Sequence, residues 1–262
     1  MEEEFERYFV DIHSAEGHVK LIARLARDGI ATFDRVPTAR QLLSLARSIG
    51  DILPHRDSDA VGVTTLAGTE STASARPGYL GLTSRELFPH TDGTGVVHPP
   101  TLVMLVCEQP APRGGATTVV DARALYAWLS VHAPAVLHEL RQPGSARFGG
   151  KPEYRGAVFE PVAEARRNED ARISIRFRWD ELAAFTASTR AVMPVFLDLI
   201  SRTGSQFTLR RGQGYIVQNG RWLHGRIEYA GDRKVHRILV RPRFHTPAHD
   251  VIRFGFAPPH GF

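Results

Sequence analysis

The chain has 262 residues, 42% hydrophobic and 23% charged, a usage that excludes a mainly disordered polymer. Its one cysteine, Cys107, excludes an internal disulfide framework or a cysteine-rich zinc module, and no apolar run reaches the roughly 18 residues of a membrane span. The formal charge is +5, but Lys20, Lys151 and Lys234 are the only lysines among 33 basic residues and the arginines form no block, so no polyanion-binding stripe is expected.

The N-terminus, Met1-Glu-Glu-Glu-Phe5, is acidic where a signal peptide is basic and then apolar, so a cytoplasmic setting is expected. Val19, Ile22, Ala23 and Ala26 fall three and four apart, predicting a helix that stops at Asp28-Gly29. Ile30–Phe33 follows as a short strand. Thr38 and Gln41 form a T-x-x-Q capping box ahead of a second helix, with Leu42, Leu45, Ala46 and Ile49 on one face and Gly50 at its end. Beyond Gly50 the pattern turns to short strand segments: Val61–Leu66, Leu102–Glu108, Thr117–Asp121, Ile173–Phe177, Gln206–Arg210, Tyr215–Gln218 and Val235–Phe244. Two helical insertions interrupt them, Ala122–Leu140 broken at Pro134, and Asp180–Arg202 with Val192, Val195, Phe196 and Leu199 on a common face. The polar run Thr69–Pro77 reads as a loop. No linker divides the chain, and short strands with helices at the front and in one long insertion predict a single mainly β domain over residues 1–262, a β-sandwich or jelly roll.

Four stretches can carry chemistry. In His90-Thr91-Asp92 an extended backbone places residues i and i+2 on one side, so an imidazole and a carboxylate can converge on a metal; a lone H-x-D is close to what chance supplies among 12 histidines. His224, in Asn219-Gly-Arg-Trp-Leu-His224-Gly-Arg226, could complete a two-His-one-carboxylate triad, which leaves open positions on Fe(II); alone it reads equally as an ordinary core histidine. Alternation along Val235–Arg243 puts Val235, Arg237, Leu239 and Arg241 on one face, where an arginine among apolar neighbours calls for an anion. The alternative is an edge strand with arginines in solvent. Arg113-Gly-Gly-Ala-Thr117 reads as a hairpin turn entering a strand and lacks the phosphate-loop pattern.

In their order these stretches resemble the taurine/2,4-D dioxygenase (TauD/TfdA-like) family of Fe(II)- and 2-oxoglutarate-dependent oxygenases. The resemblance rests on Phe88-Pro-His90-Thr-Asp92-Gly, Pro99-Pro-Thr-Leu, Gly114-Gly-Ala-Thr117, Val120-Asp121-Ala, His224-Gly-Arg226 and Arg233-x-x-x-Arg237. It implies an α+β, mainly β double-stranded β-helix (jelly roll, clavaminate synthase-like) with N-terminal and inserted helices. It further implies that His90, Asp92 and His224 bind iron, that Arg237 clamps the distal carboxylate of 2-oxoglutarate and that Thr117 contributes its hydroxyl there. Arg241, on the same strand face, is then a residue for an anionic group of the substrate or, alternatively, of the cosubstrate. The implied reaction uses dioxygen to decarboxylate 2-oxoglutarate to succinate and carbon dioxide while oxidising, chiefly hydroxylating, an unactivated C–H bond. Asp92 disfavours halogenation, since halogenating relatives carry a small residue at this position. Arg241 favours a small carboxylate- or amino-acid-like substrate, as found in specialised metabolism. The chain departs from the family pattern at Gly212-Gln213-Gly214, where a Gly-Asp pair is usual.

Two other readings stand beside this one. The spacing Arg237 to Arg243 and the high charge also fit a nucleic-acid demethylase resembling AlkB, although no basic, aromatic-interleaved stretch offers a strand-tracking surface. A jelly roll that binds metal without turnover, a sensor or binding module, is allowed by fold alone. The partners expected are a small molecule and neither a membrane nor nucleic acid. Thr69–Pro77 and the C-terminal Phe254-Gly-Phe-Ala-Pro-Pro are candidate pocket covers, with ordinary loop and tail as the alternative.

Overall fold

The computed structural model describes residues 2–68, 78–162, 171–243 and 252–258. The front of the chain runs α1 (Glu2–Arg7), α2 (Gly17–Asp28), β1 (Ile30–Phe33), α3 (Ala39–Ile49), β2 (Gly50–Leu53) and β3 (Val63–Ala67). The middle holds β4 (Leu87–His90), β5 (Leu102–Gln109), β6 (Arg113–Gly114), β7 (Thr117–Asp121), α4 (Ala122–His132), α5 (Pro134–Leu140), β8 (Ala146–Gly149), β9 (Glu153–Gly156), β10 (Phe159–Pro161) and β11 (Ile173–Ile175). The last part comprises β12 (Ala183–Phe185), α6 (Ala187–Thr203), β13 (Ser205–Phe207), β14 (Gly214–Gln218), β15 (Trp222–Arg226), β16 (Tyr229–Ala230) and β17 (Lys234–Pro242).

Two antiparallel sheets face each other. The larger is ordered β1-β14-β5-β17-β2, with β3 also paired to β17; the smaller is β13-β7-β15-β4. Strand β5 shows why this sheet is an interior layer. Leu102, Met104 and Val106 pack outward with Leu21, Ile22, Leu25, Leu42, Ala46 and Ile49 of α2 and α3. Val103, Leu105 and Cys107 point inward, in a cluster with Val119, Phe207 and Tyr215. A strand covered on both faces loses the apolar–polar alternation and reads as the continuous apolar run seen in the sequence. Behind the smaller sheet, Val120 and Leu223 pack on α4, α5 and α6. The result is four layers, helices, sheet, sheet, helices, as a jelly roll with added helices requires.

The local signals act as expected in several places. Gly29 ends α2 at φ 68°, a left-handed turn where its N–H bonds Leu25 O. Thr38 caps α3 by accepting from Gln41 N–H. Pro134 opens α5 after the chain leaves helical geometry at Ala133. Elsewhere the structure corrects the sequence reading. In α2 the buried face is Leu21, Ile22 and Leu25, whereas Val19 is 67% exposed. The predicted helix from Asp180 begins only at Ala187. Asp180 folds back to accept from Leu182 N–H, Ala183–Phe185 takes the edge of β8, and Thr186 caps the helix. The buried face of α6 is Thr189, Met193, Phe196, Leu199 and Ile200, leaving Val195 exposed. Gly114 and Gly115 are left-handed, but they form no tight hairpin: β6 pairs with β16. A Cβ on Gly114 would lie 2.2 Å from Glu228 O.

Candidate metal centre

The smaller sheet assembles the metal residues from strands far apart in sequence. In β15 the side chains of Leu223 and His224 face opposite ways, Leu223 into the helical layer and His224 between the sheets. His224 is the cross-strand partner of His90 at the end of β4, and the two rings lie 4.7 Å apart. The chain then turns at Thr91, which exchanges hydrogen bonds with Phe177: Thr91 N–H donates to Phe177 O at 2.8 Å and Phe177 N–H to Thr91 Oγ1 at 3.1 Å. With Thr91 drawn outward, Asp92 returns to the side of His90. One ligand atom each from His90, Asp92 and His224 falls within 4.8 Å of the others, as the H-x-D and distal-His pattern predicts.

The electrostatics suit a cation. His90 Nδ1 lies 3.0 Å from Phe88 O, so this nitrogen carries the hydrogen and Nε2 is left bare. Burial, then the nearby His224, lower the His90 pKa to about 3, keeping the imidazole neutral and able to ligate. Burial alone would raise the Asp92 pKa; the Arg237 guanidinium, then His224 and His90, outweigh it and hold the carboxyl well below its usual range. Asp92 Oδ1 accepts from Arg237 Nη1 at 2.7 Å, while Asp92 Oδ2 and His224 Nδ1 are buried with no hydrogen-bond partner among the described residues. A neutral His90 imidazole, a carboxylate anchored through Oδ1, and an Asp92 Oδ2 that faces His224 Nε2 at 3.4 Å fit Fe(II) with open coordination positions.

Neighbouring residues fix this arrangement. Asn219, at the β14–β15 turn, brackets Asp92: its Oδ1 accepts from Asp92 N–H at 2.8 Å, and its Nδ2 donates to Asp92 O and Pro100 O. Arg176, stacked 3.6 Å over the Tyr154 ring, donates to Thr94 O and Val96 O and so clasps the loop leaving Asp92. Neither role is legible in the sequence, because both depend on partners about 80 residues or more away.

A cavity of about 690 Å³ opens between the sheets beside the triad, a size suited to small ligands. Thr117, Arg237 and Arg241 all line it, as do His55, Tyr215, Arg226 and Arg233. Arg241 is exposed at the cavity edge, opposite Asp51 in register. Arg237 contacts Asp92, whereas Arg233 is 8% exposed and has no hydrogen bond or ion pair with the described residues. Arg226, the cross-strand partner of Thr117, is equally buried and spends its Nη2 on Thr83 O and Arg85 O. The sequence pattern points first to Arg237 for the carboxylate clamp, with Arg233 or Arg241 next, and does not single out Arg226, whose burial only the fold reveals.

The two candidate covers fare differently. Thr69–Pro77 lies outside the described residues. Phe256, in contrast, is 2% exposed in the helical core against Tyr126, and Gln218 Nε2 donates to Gly255 O, so this segment packs inside rather than over the cavity. No helix among the described residues is long and apolar enough to cross a membrane.

Known structures share this architecture at low identity. A Pseudomonas aeruginosa PvcB structure matches with TM-score 0.65 and 16% identity over 88% of this chain and 82% of its own. Asparagine oxygenase in complex with Fe(II), 2S,3S-3-hydroxyasparagine and succinate matches with TM-score 0.63 and 16% identity, over 85% of this chain and 78% of its own. The non-heme iron oxygenase OrfP, in complex with Fe, succinate and (3R,4R)-dihydroxy-L-Arg, gives 0.61 and 14%, over 86% and 83%. At such identities the likeness establishes the fold. The sequence itself matches one family model across residues 9–239, and with the triad inside that span the chain belongs to the taurine catabolism dioxygenase TauD, TfdA family.

Proposed function

We propose that this Fe(II)- and 2-oxoglutarate-dependent dioxygenase hydroxylates a C–H bond of a small amino-acid-like or other carboxylate substrate. The observation that carries the reading is the convergence of His90, Asp92 and His224 on a cavity whose other charged groups are mainly cationic. Iron and 2-oxoglutarate, when bound, supply the oxidative decarboxylation that activates dioxygen and oxidises the C–H bond, with release of succinate and carbon dioxide.

The protein's own part is placement. His90, Asp92 and His224 hold the metal, and Arg237 keeps Asp92 ionised and pinned through Oδ1, leaving Oδ2 to ligate. We assign the distal carboxylate of 2-oxoglutarate to Arg233 and Thr117, in place of Arg237. Arg233 is a buried guanidinium with no counter-anion among the described residues, a costly state that a bound carboxylate relieves. Arg241 stays the residue for a substrate carboxylate, at the cavity edge. The amino-acid products named for asparagine oxygenase and OrfP support this class of substrate.

Succinate release, screened over amino acids, small carboxylates and sulfonates, tests the reaction. Asp92→Ala or His90→Ala should abolish it, and turnover retained in both variants would sink the ligand set. Arg233→Ala should weaken 2-oxoglutarate by about 2–5 kcal/mol if a buried charge pair is lost, while Arg237→Ala should chiefly weaken metal. The reverse pattern would return the clamp to Arg237.

A further inference from the structure

Tyr215 lies on the inward face of β14, opposite Leu105 of β5, and Leu105 in turn faces Arg237 of β17. Its ring belongs to the core, 1% exposed and edge-on to Phe207 at 5.8 Å. That accounts for an aromatic residue, and phenylalanine would fill the space as well. The hydroxyl needs a separate explanation. It has no hydrogen-bond partner among the described residues, yet Tyr215 lines the cavity with Thr117 and Arg233. A phenol hydroxyl placed in an apolar core normally finds a partner. Arg233 is the charge it feels most, ahead of Asp92 and Arg237, and burial pushes its pKa up so that it stays a neutral donor.

We propose that Tyr215 is a cosubstrate-binding residue, its hydroxyl donating to the distal carboxylate of 2-oxoglutarate beside Arg233 and Thr117. The assignment rests on the cosubstrate site described above. It explains why the cavity lining holds three groups with no hydrogen bond among the described residues, the Arg233 guanidinium, the Thr117 hydroxyl and the Tyr215 phenol, with Phe207 pairing Thr117 across the strands and packing its ring on Tyr215. Together they offer donors to both oxygens of one carboxylate, with a single positive charge to balance it.

The test uses full-length protein loaded with Mn(II), which supports binding without turnover. Titration calorimetry would compare 2-oxoglutarate with 2-oxobutyrate, which lacks the distal carboxylate, in the wild type and in Tyr215→Phe. Loss of one hydrogen bond to a charged group should weaken 2-oxoglutarate about ten-fold. Mn(II) affinity, ligand-free melting temperature and 2-oxobutyrate affinity should stay unchanged. A 2-oxoglutarate affinity within two-fold of wild type would overturn the assignment, as would an equal weakening of both oxo acids, which places the effect away from the distal carboxylate. A wild type that binds no 2-oxoglutarate would overturn the cosubstrate site itself, an outcome visible before any variant is made.

Discussion

Asp92 is useful to the site because its backbone and both carboxylate oxygens have separate tasks. The backbone N–H and C=O are taken by Asn219, Oδ1 by Arg237, and Oδ2 is left open. Removing Asn219 leaves these buried groups unpaired. Asn219→Ala should therefore cost about 1–3 kcal/mol of stability and weaken Mn(II) or Fe(II) binding about 10–100-fold, read by thermal melting and metal titration. Cys107 shows the opposite logic, a group kept idle. Burial pushes its thiol up to about 11, with Arg233 pulling partly the other way. The folded thiol thus holds its proton at pH values where the unfolded chain releases it. The stability this provides is present below about pH 9 and declines as pH rises toward 11. Alkylation of Cys107 at pH 8 should be slow in native protein and fast in urea; equal rates would place the thiol outside the core.

At the scale of elements, the approach of β4 to β15 decides whether a ligand set exists. Their register shifts between His224 and Arg226, and the residue in between is Gly225. A Cβ there would sit 2.5 Å from Leu87 O and 2.9 Å from Pro89 N. Gly225→Ala should push β4 from β15, costing about 1–3 kcal/mol as overpacking does. Because His90 ends β4, metal affinity should fall with it, whereas a variant that melts lower but binds metal normally would show the strands move together. The element boundaries also mark where local rules hold. Gly29, Thr38 and Pro134 act through their own backbone and side-chain chemistry, so these helix ends are legible. The start of α6 is not, because Asp180 and Ala183–Phe185 find partners in Arg178 and β8 that outweigh their helical pattern.

For the whole molecule, the four layers put the candidate metal site between two sheets that are each covered on their outer face by helices. Binding energy at such a site returns as stability. Saturating Mn(II) at 100 times its dissociation constant should stabilise the protein by about 2.7 kcal/mol, and Asp92→Ala should lose that increment. An equal shift in both proteins would mean the ion acts elsewhere.

The sequence by itself determined several helix ends, the central strands and which two histidines and aspartate the fold gathers as a candidate triad. Those depend on local backbone preference, on burial of apolar runs and on residue types in a fixed order, all carried by the chain without reference to its partners. Only the tertiary structure decided which arginine lacks a counter-anion among the described residues, that Asn219 and Arg176 hold the loop of Asp92, and that the tail at Phe256 is core rather than cover. Arg233 and Arg237 are the same residue type four positions apart. What separates them is that Asp92, far away in sequence, folds against one and not the other. Charge pairing and desolvation depend on distances across the sheets, which no local pattern encodes.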